Sequence, residues 1–207
     1  MRAQATALVC AGCGAPLGAN LDLFAAMNLP RRLTIDAAAM ERAYHDLSRR
    51  IHPDRFAAAP AAVRDASMRA TALLTRAYRS LRDPISRGRY WLELHGRKLG
   101  ENNQQVPAEL AAMVFETQER LEELRDSRTP ENLAAARTRQ TEAARVLADA
   151  KAELARNFAA WDGAGEDADE ERRKARFTNL KAILSKIAYL TTLERDIFRE
   201  LETARAA

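Results

Sequence analysis

Turn-forming residues are scarce in this chain, whose 207 residues include 8 glycines and 7 prolines. All-β architectures need such residues at short intervals, so a sandwich or barrel is excluded. Two cysteines exclude a disulfide scaffold and a thiol-rich redox protein. No segment approaches the roughly 18 consecutive apolar residues of a membrane span. The opening MRAQATALVCAGC has too short an apolar run for a signal peptide. A one-signed charge is lacking as well, since 33 Lys+Arg face 29 Asp+Glu with the signs interspersed. No basic block interleaved with aromatics appears, so the footprint of a nucleic-acid binder is missing. These absences lead to the expectation of a soluble, intracellular protein with neither a membrane nor a nucleic acid as partner. What is present points to helix, because about a fifth of the chain is alanine, the strongest helix former.

Punctuation divides the sequence. Residues 1–19 hold both cysteines, Gly12, Gly14, Gly18 and Pro16, and read as an irregular N-terminal segment. Residues 20–97 read as one helical module. Asn20 is the expected cap of a short helix, LDLFAAM, ended by the turn at Asn28, Leu29 and Pro30. Asp36 opens DAAAMERAYHDLSRRI, where Met40, Tyr44, Leu47 and Ile51 recur on one face. His52-Pro53-Asp54 stops that helix, because Pro53 disfavours the α conformation in the residue before it. A third helix over 61–82 carries Val63, Ala70, Leu74, Ala77 and Leu81 on its stripe. Asp83-Pro84 breaks it, and a shorter segment carries Ile85, Tyr90, Trp91 and Leu94 to Gly96.

Residues 98–107, with the polar stretch GENNQQVP, have neither α nor β periodicity and read as a linker. Residues 108–207 hold three amphipathic patterns. The first, over 108–126, has Leu110, Val114, Leu121 and Leu124 on its stripe. Thr129-Pro130-Glu131 starts the second in cap-then-proline order, and it reaches Trp161 before Gly163 and Gly165. The third spans 170–204, with Phe177, Leu180, Leu184, Ile187, Thr191 and Phe198 aligned. Three such helices with short connections imply an antiparallel bundle. The expected fold class is all-α, a four-helix module joined to a three-helix bundle.

The outstanding motif is His52-Pro53-Asp54. As a bare tripeptide it is either a helix stop or a binding loop, with Pro53 fixing φ and Asp54 free to accept hydrogen bonds or a cation from a partner. A His beside an Asp also fits a general base, yet no Ser, Cys or second carboxylate nearby completes a catalytic arrangement. In context the pattern is more specific. YHDLSRRIHPDRF followed by LLTRAYRSLRDPISRGRYWLELHG resembles the J-domain of DnaJ-type co-chaperones, and more narrowly the HscB family of iron–sulfur cluster co-chaperones. The resemblance covers residues 21–97 and continues more weakly through the bundle. No Gly/Phe-rich or repeated-CxxC region follows, as a generic J-protein would have.

The resemblance implies an N-terminal J-domain and a C-terminal client-binding bundle in a cytoplasmic co-chaperone that is not an enzyme and needs no cofactor. It implies that His52, Pro53, Asp54 and Arg55 dock on a DnaK/HscA-class ATPase and stimulate it. The preceding helix agrees with that reading. At about 100° per residue, Arg42, His45 and Arg49 fall opposite the apolar stripe, with Arg50 at the edge and Asp46 diluting the charge. Such a face is either merely solvated or suited to an acidic partner, whose encounter it would speed.

In the bundle, Ala108, Ala112, Phe115, Glu116 and Glu119 lie on the far side of the first helix from its leucines, and Tyr189 points away from the Leu180–Leu184–Ile187 stripe. Exposed apolar residues are either incidental or, if the two faces share one side, a docking patch. The resemblance implies that Ala112, Phe115, Glu116, Glu119 and Tyr189 bind an IscU-like scaffold protein on which iron–sulfur clusters are assembled. Ala111 and Ala112 replace larger apolar residues usual in that family.

Cys10-Ala-Gly-Cys13-Gly resembles one knuckle of a zinc site. A structural zinc needs four ligands, no other cysteine exists, and the nearest histidine, His45, belongs to the basic face. The site is incomplete as it stands; some members of the resembled family carry a four-cysteine zinc module of which this would be half. A disordered remnant, a zinc shared between two chains, and redox action are the alternatives, the last without the βαβ pattern of a thioredoxin. His95 reads as a core-edge residue beside Trp91 and Leu94, and Trp161 as core. Two other functions remain open, a J-domain co-chaperone for a different client and a metal or redox protein using Cys10 and Cys13.

Overall fold

Helix boundaries in the first half are set by Asp and Pro. The computed structural model describes residues 8–17, 21–97, 99, 106–164 and 169–206, and the chain divides into two compact units, Met1–Leu94 and His95–Ala207. The first helix, α1 (Leu23–Ala26), is capped by Asp22, whose carboxylate accepts the Phe24 and Ala25 amides at 2.9 and 3.0 Å. Sequence reading gave that cap to Asn20, which lies outside the described residues. Asp22 takes the role because Arg31 clamps its second oxygen at 2.6 Å. Burial alone would raise the Asp22 carboxyl, but the Ala25 amide, Arg31 and the Phe24 amide outweigh it and hold the group below its ordinary value.

Asp36 caps α2 (Ala37–Ile51) through the amides of Ala38 and Ala39. The helix ends at His52, extended at ψ 131° because Pro53 follows. A 3₁₀ turn over Pro53–Phe56 leads to α3 (Ala61–Arg82). Asp83 then both stops α3 and opens α4 (Pro84–Leu94), its carboxylate taking the Ser86 amide at 2.8 Å with Pro84 at the first helical position.

All three other helices of this unit pack on α3. Phe24 is fully buried beneath Tyr90 and Trp91, with ring centroids 5.9 Å away in each case, and the Tyr90 hydroxyl accepts the Leu23 amide at 2.9 Å. Tyr44 stacks on Tyr78 at 4.2 Å, joining α2 to α3. Two buried polar groups fall outside the apolar stripes. Arg87, 8% exposed, donates to the Leu81 carbonyl at the end of α3. Ser67, fully buried, donates to the Ile51 carbonyl at 2.6 Å and so ties the end of α2 to α3. Ser67→Ala leaves that carbonyl with only a long bond from Thr71, at 3.4 Å. The expected loss is about 1 to 2 kcal/mol, read by urea unfolding through Trp91 fluorescence in a Trp161→Phe background; an unchanged midpoint would remove this tie as a support of the loop.

The second unit holds α5 (Ala111–Asp126), entered by a 3₁₀ turn, then α6 (Pro130–Gly163) and α7 (Glu170–Ala206). Thr129 caps α6 by accepting the Asn132 amide at 3.2 Å. Glu109–Lys186 and Arg125–Glu200 pair at 3.1 and 2.7 Å, which sets α5 parallel to α7, with α6 running against both. The buried face of α6 alternates Ala136, Ala143 and Ala150 with Leu147, Leu154 and Phe158. Small residues once per two turns let α7 approach closely while its leucines and isoleucines fill the gaps. Part of the alanine content is therefore packing as well as helix propensity.

The stripe expected on α7 needs correction. Thr191 is exposed and Phe198 is 55% exposed, while Ile183, Leu190, Leu193, Ile197 and Leu201 are buried. A seam repeating near 3.5 residues drifts around a helix of about 3.6 residues per turn, so the apolar set moves off a straight line drawn from Phe177. Thr117 on α5 is also fully buried, its hydroxyl donating to the Met113 carbonyl. His95 is exposed rather than a core-edge residue, and its ring lies 5.2 Å from Phe177. Trp161 is half-buried against Phe177 at 4.8 Å. Among the described residues there is no strand beyond an isolated Val9–Pro16 bridge, and no helix long and apolar enough to cross a membrane. Of the expected linker, residues 98 and 100–105 lie outside the described residues, as does Gly165.

Candidate functional site

The loop that follows α2 is exposed and internally ordered. His52 Nδ1 accepts the Asp54 amide at 3.3 Å and lies 3.4 Å from Asp54 Oδ2. The first contact needs Nδ1 unprotonated, which leaves the opposite edge of the ring free to meet a partner. The side chains of His52 and Asp54 are 51% and 90% exposed. Arg55 turns back, donating to the Arg49 carbonyl at 3.2 Å, so it satisfies the end of α2 and pins the loop to it. Sequence reading counted Arg55 only as a contact residue; its capping role depends on a turn that brings residues 49 and 55 together.

Arg42, His45, Arg49 and Arg50 are all exposed on α2, on the side away from buried Met40 and Ile51. Arg49 pairs with Asp46 one turn earlier, which softens the charge there. Arg49 and Arg50 occupy the last turn, where cations favour the negative end of the helix dipole. A cationic strip thus ends at a loop carrying one exposed carboxylate. The arrangement suits contact with a macromolecular surface.

The second candidate set of residues lies on α5 and α7. Phe115 is 65% exposed, and Ala112, Glu116 and Glu119 are exposed. Tyr189 is half-buried, and burial, with Asp196 adding to it, raises its hydroxyl above the ordinary value. Because residues 109 and 186 meet, as do 125 and 200, equal helical rise sets Ala112 and Phe115 level with Tyr189. Glu116 is not a free carboxylate; Arg139 of α6 holds it at 2.7 Å. Periodicity put Glu116 on an outer face but could not supply its partner 23 residues away.

Residues 8–17, read as irregular, form a tight hairpin. The Cys10 amide donates to the Ala15 carbonyl at 2.8 Å, the Gly14 amide to Cys10 at 2.9 Å, and the Leu17 amide to Leu8 at 2.7 Å. Gly14 sits at φ +70°, where a side chain would be strained. Leu8, Val9 and Pro16 are buried, Cys10 is half-buried and Cys13 exposed.

No family model matches the chain. The Co-chaperone protein HscB homolog of Paraburkholderia phymatum is 32% identical over 166 residues, covering 80% of this chain and 78% of that protein. The Co-chaperone protein HscB homolog of Aromatoleum aromaticum is 40% identical over 105 residues; the match takes in 50% of this chain and spans only 59% of that relative's length. Among solved structures, the crystal structure of human co-chaperone protein HscB superposes with a TM-score of 0.68 at 25% identity, covering 92% of this chain and 88% of that one. Chaperone HscB from Vibrio cholerae shares the fold with a TM-score of 0.62 at 20% identity, over 89% of this chain and 99% of its own.

Proposed function

This chain belongs to the HscB co-chaperone family, and from that premise we propose that it stimulates ATP hydrolysis by a DnaK/HscA-class chaperone in the cytoplasm and presents to it an IscU-like iron–sulfur scaffold protein. The observation that carries the reading is the ordered, exposed His52-Pro53-Asp54 loop at the end of a cationic helix face. That strip is complementary to an acidic chaperone surface and raises the encounter rate; the loop then supplies a short-range contact of fixed shape. The chain contributes contacts, and the ATP-hydrolysing site belongs to the chaperone. The α5–α7 face around Phe115 and Tyr189 would hold the scaffold. Joining two modules in one chain places the client at high effective concentration beside the chaperone whose turnover it accelerates.

The test is single-turnover ATP hydrolysis by such a chaperone with the full chain added. Acceleration is expected, with a half-maximal concentration that rises with salt. Arg42→Glu with Arg50→Glu is expected to raise that concentration about tenfold at low salt and leave the plateau rate unchanged. No acceleration at any concentration overturns the chaperone half of the reading. Acceleration without scaffold binding overturns the client half and leaves a co-chaperone for another client.

A further inference from the structure

The carboxylates on the outer side of α5 are not equivalent. Glu123 is taken by Arg120 of its own helix, whose guanidinium donates to both oxygens at 2.8 and 2.6 Å. Glu116 is taken across the helix boundary, where Arg139 of α6 donates to it at 2.7 Å. The same guanidinium pairs with Glu142, one turn along α6, at 3.0 Å. Arg139 is the fixed member of this trio, its side chain 23% exposed against 58% for Glu116. Glu119 makes no hydrogen bond or ion pair among the described residues. It stands exposed one turn along the same helix face from exposed Phe115.

A carboxylate already bonded to a guanidinium has little left to offer a second cation. The incoming charge meets a fixed positive group beside the oxygen it seeks, and must displace that group or share with it. Displacement is costly here, because Arg139 is mostly buried and would keep only Glu142 as a partner. Glu119 is the opposite case, with its full charge and both oxygens open to a partner. A lysine or arginine can meet Glu119 while an apolar side chain next to it covers the Phe115 ring. Periodicity gives Glu116 and Glu119 the same standing; the pair between α5 and α6 separates them.

We propose that Arg139 is a positioning residue that withholds Glu116, so that the scaffold is recognised through Phe115 and Glu119 by a segment pairing an apolar side chain with a cation. This rests on the scaffold reading given above. The experiment is calorimetry of the full chain with an IscU-like scaffold protein at low and high salt. Glu119→Gln is expected to weaken binding about tenfold at low salt, and less as salt rises. Arg139→Gln frees Glu116 and is expected to strengthen binding about fivefold at low salt. That gain is expected to vanish when Glu116→Gln is added, and to persist when Glu142→Gln is added instead. Arg139→Lys, which restores the charge beside Glu116, is expected to return the affinity to the parent's. A merely structural role for Arg139 would lower the unfolding midpoint without a gain that depends on Glu116. A gain that survives Glu116→Gln reports net charge alone and overturns the proposal. Unchanged or weaker binding by folded Arg139→Gln, or unchanged binding by Glu119→Gln, overturns it too. With the parent chain still binding the scaffold, each of these leaves the proposed function standing; no binding by the parent removes both.

Discussion

His52→Gln is expected to reduce the chain's acceleration of chaperone ATP hydrolysis to the basal rate, with helicity and unfolding midpoint unchanged. The fold should tolerate the change because the described polar contacts of the His52 side chain stay within its own loop, to the Asp54 amide and carboxylate. The end of α2 is held by other groups, the Ser67 hydroxyl on the Ile51 carbonyl and the Arg55 guanidinium on the Arg49 carbonyl. What disappears is the rigid ring beside Asp54. A glutamine there keeps polarity but has an extra rotatable bond and no planar ring, so a contact of fixed shape is lost. Asp54→Asn serves as the companion variant. That side chain is 90% exposed, so its replacement removes a charge from the partner contact and nothing from the core. The paired measurements are single-turnover ATPase and circular dichroism. Full stimulation by either variant would sink the loop as the docking element.

Phe115→Ala combined with Tyr189→Ala is expected to weaken scaffold binding by about 2 kcal/mol or more, roughly thirtyfold in Kd. Phe115 is 65% exposed in the free chain, so truncating it opens no cavity. Its apolar surface becomes a contribution to binding only when a partner covers it. Tyr189 is half-buried at the same level of the bundle, and its removal takes away packing as well as contact. The single Phe115→Ala variant, with an unchanged unfolding midpoint, separates the two effects. Calorimetry with the scaffold reads the affinity, while ATPase stimulation in the scaffold's absence should match the parent chain. An affinity equal to the parent's would remove this face as the docking surface.

Much of the fold was legible because its boundaries are made of local chemistry. Asp36, Asp83-Pro84 and Thr129-Pro130 each act on amides within three residues, and each stands where sequence reading put it. The misplaced cap shows where such reading ends. Asn20 and Asp22 are both capping types two positions apart, and Arg31, nine residues on, favours the second. The outward direction of Phe115 followed from periodicity alone. The exposure of Phe198 did not, because the buried seam of α7 follows the partner helices as well as the local repeat.

By itself the sequence determined an all-α chain, the ends of most helices, the loop between α2 and α3, and the polarity of most helix faces. Those properties depend on neighbours within one or two turns, where backbone geometry and capping act. The tertiary structure decided which charges are paired, as Glu116 with Arg139 and Glu109 with Lys186, and which buried hydroxyl steadies the loop, Ser67 on Ile51. It also decided that Phe115 and Tyr189 lie at one level of the bundle. These outcomes join residues 16 to 77 positions apart. No local period encodes such separations; they arise only when the apolar faces pack.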